Sequence, residues 1–212
     1  MAPECAAINF LAHLYLAGET EADAAGALLG DFVKGPLDSA WPVSVVAGIR
    51  LHRLIDRFTD SHPSWQASRA RFPPALRRFA GVAVDVVYDH FLARSWARFH
   101  PLSLEQFAHA SYAGIEVYAR YFPPRLVRMF SYMVAEDWLT GYRDWPAIGR
   151  TLARMSMRSS RLSPLADTAN AASGIYAELE ADFLEFFPAL SNYVAVVQRN
   201  EDWRARLAPR CR

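Results

Sequence analysis

Cysteine is scarce in this sequence, and long apolar segments are missing from it. The two cysteines, Cys5 and Cys211, lie near opposite ends of the chain, without a CxxC pair or the Cys/His spacing of a zinc finger. No apolar run approaches the ~20 residues that a transmembrane helix needs, and the first residues lack the pattern of a secretory leader. We therefore expect neither a disulfide framework nor a membrane span, and we expect a cytoplasmic protein.

Charge of one sign is not in excess either. The 23 Lys and Arg residues, of which only Lys34 is a lysine, are balanced by 22 Asp and Glu residues, so the net charge is +1. Such a chain does not coat nucleic acid or an anionic membrane through bulk charge. Its 212 residues and its apolar fraction of 52% suit one folded domain. We expect residues 1–212 to form this domain, with neither nucleic acid nor a membrane as a partner.

The alternation of polar and apolar residues that marks β-strands is missing too, and helical periodicity extends through nearly the whole chain. This pattern predicts an all-α fold, a single compact domain of helices. The predicted helices cover about residues 8–16, 21–33, 42–59, 75–99, 104–121, 124–137, 146–156, 166–186 and 189–207. Pro63, Pro73 and Pro74 bracket a predicted connector between the third and the fourth of these helices.

The clearest chemical pattern is a helix face that carries His52, Asp56 and Asp60. At ~100° per residue, these three side chains fall within roughly an 80° arc, away from the apolar stripe of the same helix. An imidazole one turn from a carboxylate is a natural pair of ligands for one divalent cation. The alternative is a solvated polar face whose side chains pair four residues apart.

A second pattern places charges on a helix that is apolar nearly all round, within residues 82–92. Such a helix is expected to be buried, yet it carries Asp85, Asp89 and His90. Buried carboxylates are unfavourable unless they are paired or bind a metal. These residues are therefore candidates for ligand or catalytic roles. The alternative is a structural pair between an aspartate and an arginine of the preceding long helix.

Two further polar residues, His13 and Asp31, lie in apolar segments of other predicted helices. Each by itself is more often a structural core residue than part of a site. Together with the preceding patterns, they allow histidines and carboxylates from several helices to converge on one point, as in the metal sites of helical bundles. The carboxylate-rich mixture favours Mn²⁺ or Mg²⁺ over a thiolate zinc site. Phosphate-loop, dinucleotide-binding, HExxH and GxSxG motifs are all absent.

Several short segments, taken in their order along the chain, resemble the acyl carrier protein phosphodiesterase family, the holo-acyl-carrier-protein hydrolases. The matching segments are residues 9–14, 30–35, 47–49, 52–53, 55–56, 59–60, 85 and 89–92, with weaker similarity at 138–139, 142–144, 155 and 158–162. Each segment alone is a weak pattern, whereas the ordered set spans almost the full length and is specific.

The resemblance implies an all-α, HD-domain-like helix bundle, because the family is regarded as a divergent branch of the HD-type metal-dependent phosphohydrolases. It implies dependence on Mn²⁺, Mg²⁺ or another divalent cation. It also implies that holo-acyl carrier protein is the substrate, and that hydrolysis of its phosphodiester yields apo-acyl carrier protein and 4′-phosphopantetheine. One departure is that this sequence lacks the adjacent His-Asp doublet of common HD proteins, and its nearest equivalent is the reversed pair Asp89-His90.

On the basis of this resemblance, we assign the candidate residues to roles in metal-dependent phosphodiester hydrolysis. The predicted metal ligands form a pool from which one or two ions draw: His13, Asp31, His52, Asp56 and Asp89. Asp60 is predicted to be a further ligand or to orient the attacking water. His90 is predicted to protonate the seryl leaving oxygen, and Arg53 to bind the phosphate.

A small acidic carrier protein requires a basic surface on its enzyme. One set of arginines recurs at helical spacing in a segment without acidic residues: Arg150, Arg154, Arg158 and Arg161. We predict that these arginines bind the carrier protein, and the alternative is a solvated basic face. A rival patch lies nearer the predicted site: Arg69, Arg71, Arg77 and Arg78.

Two other functions are compatible with the residues alone. The first is a helical metal-dependent phosphohydrolase that acts on a nucleotide or another small phosphoester. The second is a non-catalytic helical module that binds an acidic partner and uses its His and Asp residues for structural pairs. The resemblance favours the carrier-protein enzyme over both, and it leaves the oligomeric state open.

Overall fold

The regular secondary structure of the described part of the chain is helical. The computed structural model describes residues 9–37, 41–199 and 203–207, so Cys5, Ile8 and Cys211 lie outside it. The first six α-helices are α1 (Phe10–Tyr15), α2 (Glu21–Leu29), α3 (Val43–Ser61), α4 (Pro63–Arg71), α5 (Arg77–Arg94) and α6 (Leu104–Glu116). The next six are α7 (Pro124–Ala135), α8 (Trp138–Gly141), α9 (Trp145–Ser156), α10 (Thr168–Gly174), α11 (Tyr176–Gln198) and α12 (Trp203–Leu207). Short 3-10 helices cover Trp96–Arg98, Ala119–Tyr121 and Ser160–Asp167. No strand occurs in the described ranges, which confirms the predicted all-α fold.

The helix with apolar residues nearly all round, α5, lies at the centre of the fold. It contacts α1, α4, α9, α10 and α11. Buried side chains occur on opposite sides of it, since Val84 and Val86, two residues apart, are both fully buried. The buried apolar residues of the described helices, from Phe10 to Trp203, form one cluster. The described helices therefore share a single core.

The helices α2 and α3 pack against each other more extensively than any other pair of described elements. Glycines make this close crossing possible. A Cβ atom on Gly26 would lie 2.6 Å from the carbonyl oxygen of Val45, and one on Gly48 would lie 2.8 Å from that of Asp23. Any larger residue would push the two backbones apart. The crossing brings the last turn of α2 beside the part of α3 that carries His52.

Two predicted boundaries differ from the observed helices around the polar residues. Helix α2 ends at Leu29 rather than near residue 33, so Asp31 lies on a turn. The predicted connector after Pro63 contains the helix α4, in which Pro63 occupies the first turn. Proline is tolerated there because the first-turn N–H has no partner within the helix.

The predicted break between two helices at Pro188 is wrong. Helix α11 runs without interruption from Tyr176 to Gln198, with Pro188 inside it, and the break lies at Ile175 instead. Proline removes one backbone hydrogen bond from a helix. Here the burial of Phe187 and Leu190, on either side of Pro188, holds both halves of the helix against the core. Residues 200–202 of the last predicted helix lie outside the described ranges.

The long helices α3, α5 and α11 carry charged residues among their apolar ones. Within the described ranges, no helix combines the length and the apolar character that crossing a bilayer requires.

Candidate metal centre

Three of the predicted ligands meet where α1 approaches α3. The imidazole rings of His13 and His52 stack, with centroids 3.8 Å apart and an angle of 19° between the ring planes. The carboxylate of Asp56 faces both rings: its Oδ1 lies 3.2 Å from Nε2 of His13, and its Oδ2 lies 3.2 Å from Nε2 of His52. One donor atom from each residue lies within 4.8 Å of the others. We call these three residues the His/Asp cluster.

A fourth predicted ligand, Asp31, adjoins the cluster from the turn after α2. Its Oδ1 lies 3.7 Å from Nε2 of His52, and its side chain is buried. Burial raises the pKa of Asp31 to about 6, although the charge of His52 opposes this shift. A carboxyl group that is unfavourable as a free anion in this position gains from a bound cation.

The ring of His52 is oriented by the neighbouring helix. Its Nδ1 lies 2.8 Å from the carbonyl oxygen of Ala27 in α2. A carbonyl only accepts hydrogen bonds, so Nδ1 carries a proton and Nε2 points toward Asp56 and Asp31. This Nε2 is a donor to Asp56 when the ring is protonated, and it has a free lone pair for a metal ion when the ring is neutral. Metal-binding histidines are oriented in this way by a carbonyl or carboxylate behind them. Gly30 leaves room for the ring, since a Cβ there would lie 2.2 Å from Cγ of His52.

The ring of His13 is buried but poorly satisfied by the protein. Neither of its nitrogens forms a hydrogen bond of good geometry, although Nε2 lies 3.2 Å from Oδ1 of Asp56. Burial, and then the charge of His52, lower the pKa of His13 to about 4. The ring is therefore neutral at pH 7 and has a free lone pair, which is the form that binds metal ions.

The charges of the cluster depend on one another. Burial raises the pKa of the Asp56 carboxyl, but the close contacts with the two histidines and their charges outweigh this and hold the pKa well below its usual range. Burial lowers the pKa of His52, whereas its contacts with Asp56 and Asp31 raise it to a net value above the usual one. The structure thus combines an ionised carboxylate with one neutral and one readily protonated imidazole.

The geometry of the cluster fits a divalent cation. Nitrogen and oxygen ligands bind such ions at ~2.0–2.2 Å, so two ligands of one ion lie no more than roughly 4.4 Å apart. The donor atoms of the cluster all lie within 4.8 Å of one another, so no more than a small rotation of the side chains is needed. The unpaired nitrogens of His13 and the buried carboxyl of Asp31 are the groups that such an ion would satisfy.

Two more aspartates lie around the cluster without belonging to it. Asp60, one turn beyond Asp56, is exposed, and partial burial together with the charge of Asp56 raises its pKa. Asp85 accepts a hydrogen bond from Nε1 of Trp65 at 3.0 Å. Burial raises the pKa of Asp85 to about 7, the Trp65 bond opposes this, and the charges of Asp56 and Asp60 add to it. These two carboxyl groups are thus close enough to the cluster to sense its charge.

The structure does not bring Asp89 into the His/Asp cluster. Its Oδ2 accepts the N–H of Leu11, and its Oδ1 accepts the N–H of Ala12, both at 2.9 Å. These two N–H groups belong to the first turn of α1, where a helix has no partners of its own, and Asn9 provides no side-chain cap there. Asp89 therefore replaces the missing N-cap and holds the helix that carries His13.

His90 lies in a different environment from the cluster. Its Nδ1 lies 2.9 Å from the carbonyl oxygen of Tyr142, and its Nε2 lies 2.8 Å from the hydroxyl of Tyr176. The ring borders a separate open cavity with Arg94, which donates to the same hydroxyl at 2.6 Å. One residue further along α5 than Asp89, the side chain points ~100° away from it. The structure thus gives no contact between His90 and the cluster.

Arg53, the predicted phosphate-binding residue, forms hydrogen bonds to the backbone of a neighbouring loop. Its Nη2 donates to the carbonyl oxygen of Val33 at 2.8 Å, and its Nη1 donates to that of Gly35 at 3.0 Å. These bonds hold the loop that begins with Asp31. Arg53 therefore positions a predicted ligand rather than presenting its guanidinium group to the cluster.

The predicted basic face borders a cavity with a volume of about 560 Å³. Arg150, Arg154 and Arg158 line it, and Arg154 forms an ion pair with Glu136. Arg161 lies on the following 3-10 helix and is exposed.

The rival basic patch is partly engaged in structural contacts. Arg71 donates through Nε to Asp182 at 2.8 Å, and Arg69 lies over the ring of Trp65, 4.8 Å from its centre. His62, which had no predicted site role, accepts the N–H of Ser64 at the start of α4. Two features that shape the site were not foreseen from the sequence: the Ala27 carbonyl and the space at Gly30. Only the packing of α2 on α3 gives either of them a role.

The fold and the cluster together define an all-α protein with a candidate divalent-cation site between its helices. The chain belongs to the acyl carrier protein phosphodiesterase family, whose sequence profile matches residues 8–190. It is 40% identical to an acyl carrier protein phosphodiesterase of Serratia proteamaculans (strain 568), over 86% of this chain and 95% of that protein. Proteins of the same name from Enterobacter sp. (strain 638) and Escherichia coli O157:H7 are each 38% identical over the same shares. No solved structure matches the chain.

Proposed function

We propose that this chain is a divalent-metal-dependent phosphodiesterase that hydrolyses holo-acyl carrier protein in the cytoplasm. The products are apo-acyl carrier protein and 4′-phosphopantetheine. The observation that carries the proposal is the contact of the partly exposed Asp56 carboxylate with the buried, stacked rings of His13 and His52, in a chain of this family. We propose Mn²⁺ as the ion, with Mg²⁺ or another divalent cation as a substitute, because the cluster offers imidazole and carboxylate ligands and no thiolate.

We also propose that the cluster is a divergent form of the HD-type metal site. In support, its histidines and aspartates come from separate helices, α1 and α3, and from the turn after α2. The adjacent His-Asp doublet of common HD proteins is replaced by the pair His52 and Asp56, one helical turn apart.

In the proposed mechanism, His13, His52, Asp56 and Asp31 hold the ion. When bound, the ion supplies positive charge to the phosphoryl oxygens and lowers the pKa of the attacking water. Asp60, at the exposed edge of the cluster, accepts a hydrogen bond from that water and orients it. These roles require no movement of a helix.

The leaving seryl oxygen needs a proton, and we propose that Asp85, rather than His90, donates it. His90 contacts Tyr142 and Tyr176 rather than the cluster. Burial raises the pKa of Asp85 to about 7, so that a substantial fraction of this carboxyl group holds a proton at neutral pH. Its Oδ1 is held by Trp65, which leaves Oδ2 to carry the proton.

The carrier protein itself is proposed to contact the basic face predicted from the sequence. The residues that would meet its acidic surface are Arg150, Arg154, Arg158 and Arg161. Three of them border one cavity, so they share a face. Such a surface serves a protein substrate, whereas a nucleotide or other small phosphoester does not require it.

Intact-mass spectrometry of holo-acyl carrier protein, incubated with the purified protein, tests the proposal. With Mn²⁺ we expect the loss of the phosphopantetheine mass, and with a chelator we expect no change. An unchanged carrier in the presence of folded, Mn²⁺-loaded protein would contradict the substrate assignment. Hydrolysis of small phosphodiesters alone would then support the alternative function. Failure to retain any divalent ion would support a non-catalytic helical module.

Two aspartate variants test whether activity requires the carboxylate of the cluster in particular or tolerates its loss as it does that of an aspartate elsewhere. Asp56→Asn removes the carboxylate that faces both histidines, so we expect loss of Mn²⁺ binding and of turnover with an unchanged helical circular dichroism spectrum. Asp167→Asn changes an exposed aspartate without a capping hydrogen bond, and we expect it to behave as the unmodified protein. Equal activity of the two variants would remove Asp56 from the site.

A further inference from the structure

A groove of about 290 Å³ is lined in part by residues that lie close in the chain to His13 and Asp31. At one end it is lined by Phe10 and Phe32. Phe10 begins the helix that carries His13, and Phe32 follows Asp31 in the chain. The groove continues past Trp138, which also borders the larger cavity of the basic face. The groove and the cavity of the basic face therefore adjoin each other at Trp138.

Two arginines of α7, Arg125 and Arg128, line the groove and are exposed. The guanidinium carbon of Arg125 lies 5.9 Å from the centre of the Phe32 ring. Burial raises the pKa of the Asp31 carboxyl, and the charge of Arg125 is close enough to oppose this shift in part. The signal in the sequence is a pair of basic residues three apart on an amphipathic helix, which are neighbours on one face.

Arg125 lines the groove without an anionic partner among the described residues. Arg154 is paired with Glu136, and Arg53 is occupied by the carbonyl oxygens of Val33 and Gly35. In the described ranges, neither Arg125 nor Arg128 forms an ion pair. Both guanidinium groups can therefore accept an incoming anion without first losing a partner.

We propose that Arg125, assisted by Arg128, binds the phosphate group of the substrate at the edge of the His/Asp cluster. This inference rests on the proposed function and names the residue that binds its reacting group. A phosphodiester anion that approaches Asp31 and Asp56 meets repulsion from their carboxylates, so a cation beside them is required. The planar guanidinium group suits a phosphate because it donates two parallel hydrogen bonds. Met129 and Trp138, further along the groove, offer an apolar surface to the uncharged pantetheine arm.

The test is calorimetric titration of the Mn²⁺-loaded protein with 4′-phosphopantetheine, with inorganic phosphate and with phosphate-free pantetheine. Arg125→Gln is expected to weaken the binding of both phosphate ligands about 10- to 100-fold, the range for a lost charge-assisted hydrogen bond. Its affinity for pantetheine and for Mn²⁺ is expected to stay unchanged. Arg125→Lys keeps the charge without the planar fork and is expected to recover part of the affinity.

Arg120→Gln is the matched control, because Arg120 lies over Tyr121, 4.8 Å from its ring centre, and does not line the groove. We expect it to bind phosphate as the unmodified protein does. Equal phosphate affinity in Arg125→Gln and the unmodified protein would overturn the inference, and so would a lack of phosphate binding by the unmodified protein.

The two proposals fail in different ways. Release of phosphopantetheine from the carrier by the unmodified protein, with normal KM and phosphate affinity in Arg125→Gln, removes the role of Arg125 and keeps the function. Phosphate binding that depends on Arg125, without any cleavage of the carrier, removes the function and keeps Arg125 as a phosphate-binding residue.

Discussion

At the residue scale, the imidazole of His13 is a buried polar group that lacks hydrogen bonds to the protein. Both nitrogens lack hydrogen-bond partners, and an unsatisfied buried polar group costs about 1–3 kcal/mol. Asp89 accepts the N–H groups of Leu11 and Ala12 and so holds α1, with its His13 ring, in this buried position. An aspartate that does not belong to the cluster thus keeps a histidine of the cluster where a metal ion can use it.

The pKa of His13 makes the metal-free protein sensitive to acid. Burial and the charge of His52 lower this pKa from its usual 6.5 to about 4, so between these values the unfolded chain binds more protons than the native one. The free energy of unfolding therefore falls as the pH decreases from about 6.5 to about 4. A shift of this size corresponds to a contribution of about 3 kcal/mol. We expect His13→Gln to lack this contribution.

Urea unfolding in the presence of a chelator, at pH 7 and at pH 4.5, measures the effect. The quantity compared is the change in unfolding free energy between the two pH values, which does not depend on the absolute stability of the variant. A fall of the same size in the unmodified protein and in His13→Gln would show that His13 is not held in its neutral form.

At the element scale, the crossing of α2 and α3 determines the spacing of the cluster. The crossing sets the distance between the Ala27 carbonyl and the His52 ring, and it carries the turn of Asp31 toward α3. Gly26 and Gly48 are in contact at the crossing. Because glycine has no side chain, the two helix backbones approach each other directly at this point. The site is therefore sensitive to small changes at positions that do not touch a ligand.

Gly48→Ala tests this dependence. The new Cβ would lie 2.8 Å from the Asp23 carbonyl oxygen and 3.0 Å from Cα of Gly26, and neither backbone atom can move aside alone. We expect a loss of about 1–3 kcal/mol in unfolding free energy, as for other overpacked cores. We also expect weaker Mn²⁺ binding, since His52 lies one turn further along α3. Denaturant unfolding and metal titration measure the two effects.

Gly149→Ala provides the control within the same protein. Gly149 lies inside α9, and its added Cβ would meet only the Cβ of Ala169 at 3.9 Å, an ordinary contact. This substitution is expected to leave Mn²⁺ binding unchanged and to raise stability by about 0.4–1 kcal/mol, because alanine restricts the unfolded chain. If Gly48→Ala behaved in the same way, the crossing would not be under steric constraint.

At the scale of the whole molecule, the net charge of +1 conceals an uneven distribution. Arginines gather on the side formed by α7, α9 and the 3-10 helix after α9: Arg125, Arg128, Arg150, Arg154, Arg158 and Arg161. Glu136 is paired with one of them. A local excess of positive charge attracts an acidic protein over a distance of about one Debye length, ~8 Å at physiological salt.

Charge reversal on this side tests whether it receives the carrier protein. For Arg150→Glu with Arg161→Glu, we expect a KM for holo-acyl carrier protein at least about 10-fold higher, with kcat nearly unchanged, because like charges oppose the encounter and leave the chemistry intact. Raising the salt concentration is expected to raise the KM of the unmodified protein and to affect the variant less. Arg199→Glu, an exposed change at the end of α11, is the control. A KM that did not depend on salt would contradict the proposed surface.

Several features of this structure can be predicted from the local periodicity of the sequence. The repeat of 3.6 residues predicted the all-α fold, the burial of α5, and the placement of His52 and Asp56 on one face of α3, since the positions of residues four apart follow from helix geometry alone. Proline positions were less informative. Pro188 did not end its helix, because apolar residues on both sides of it are buried in the core.

Helical periodicity thus establishes the class of fold, the pair His52–Asp56 and the set of candidate polar residues. The roles of these residues follow from the packing of the helices. In the folded protein, His13 and Asp31 contact the pair His52–Asp56. Asp89 instead accepts a hydrogen bond from the first turn of α1, and His90 contacts Tyr176. The physical reason is that these partners are far apart in the chain, so their contacts depend on how the helices pack and not on the spacing within any one of them.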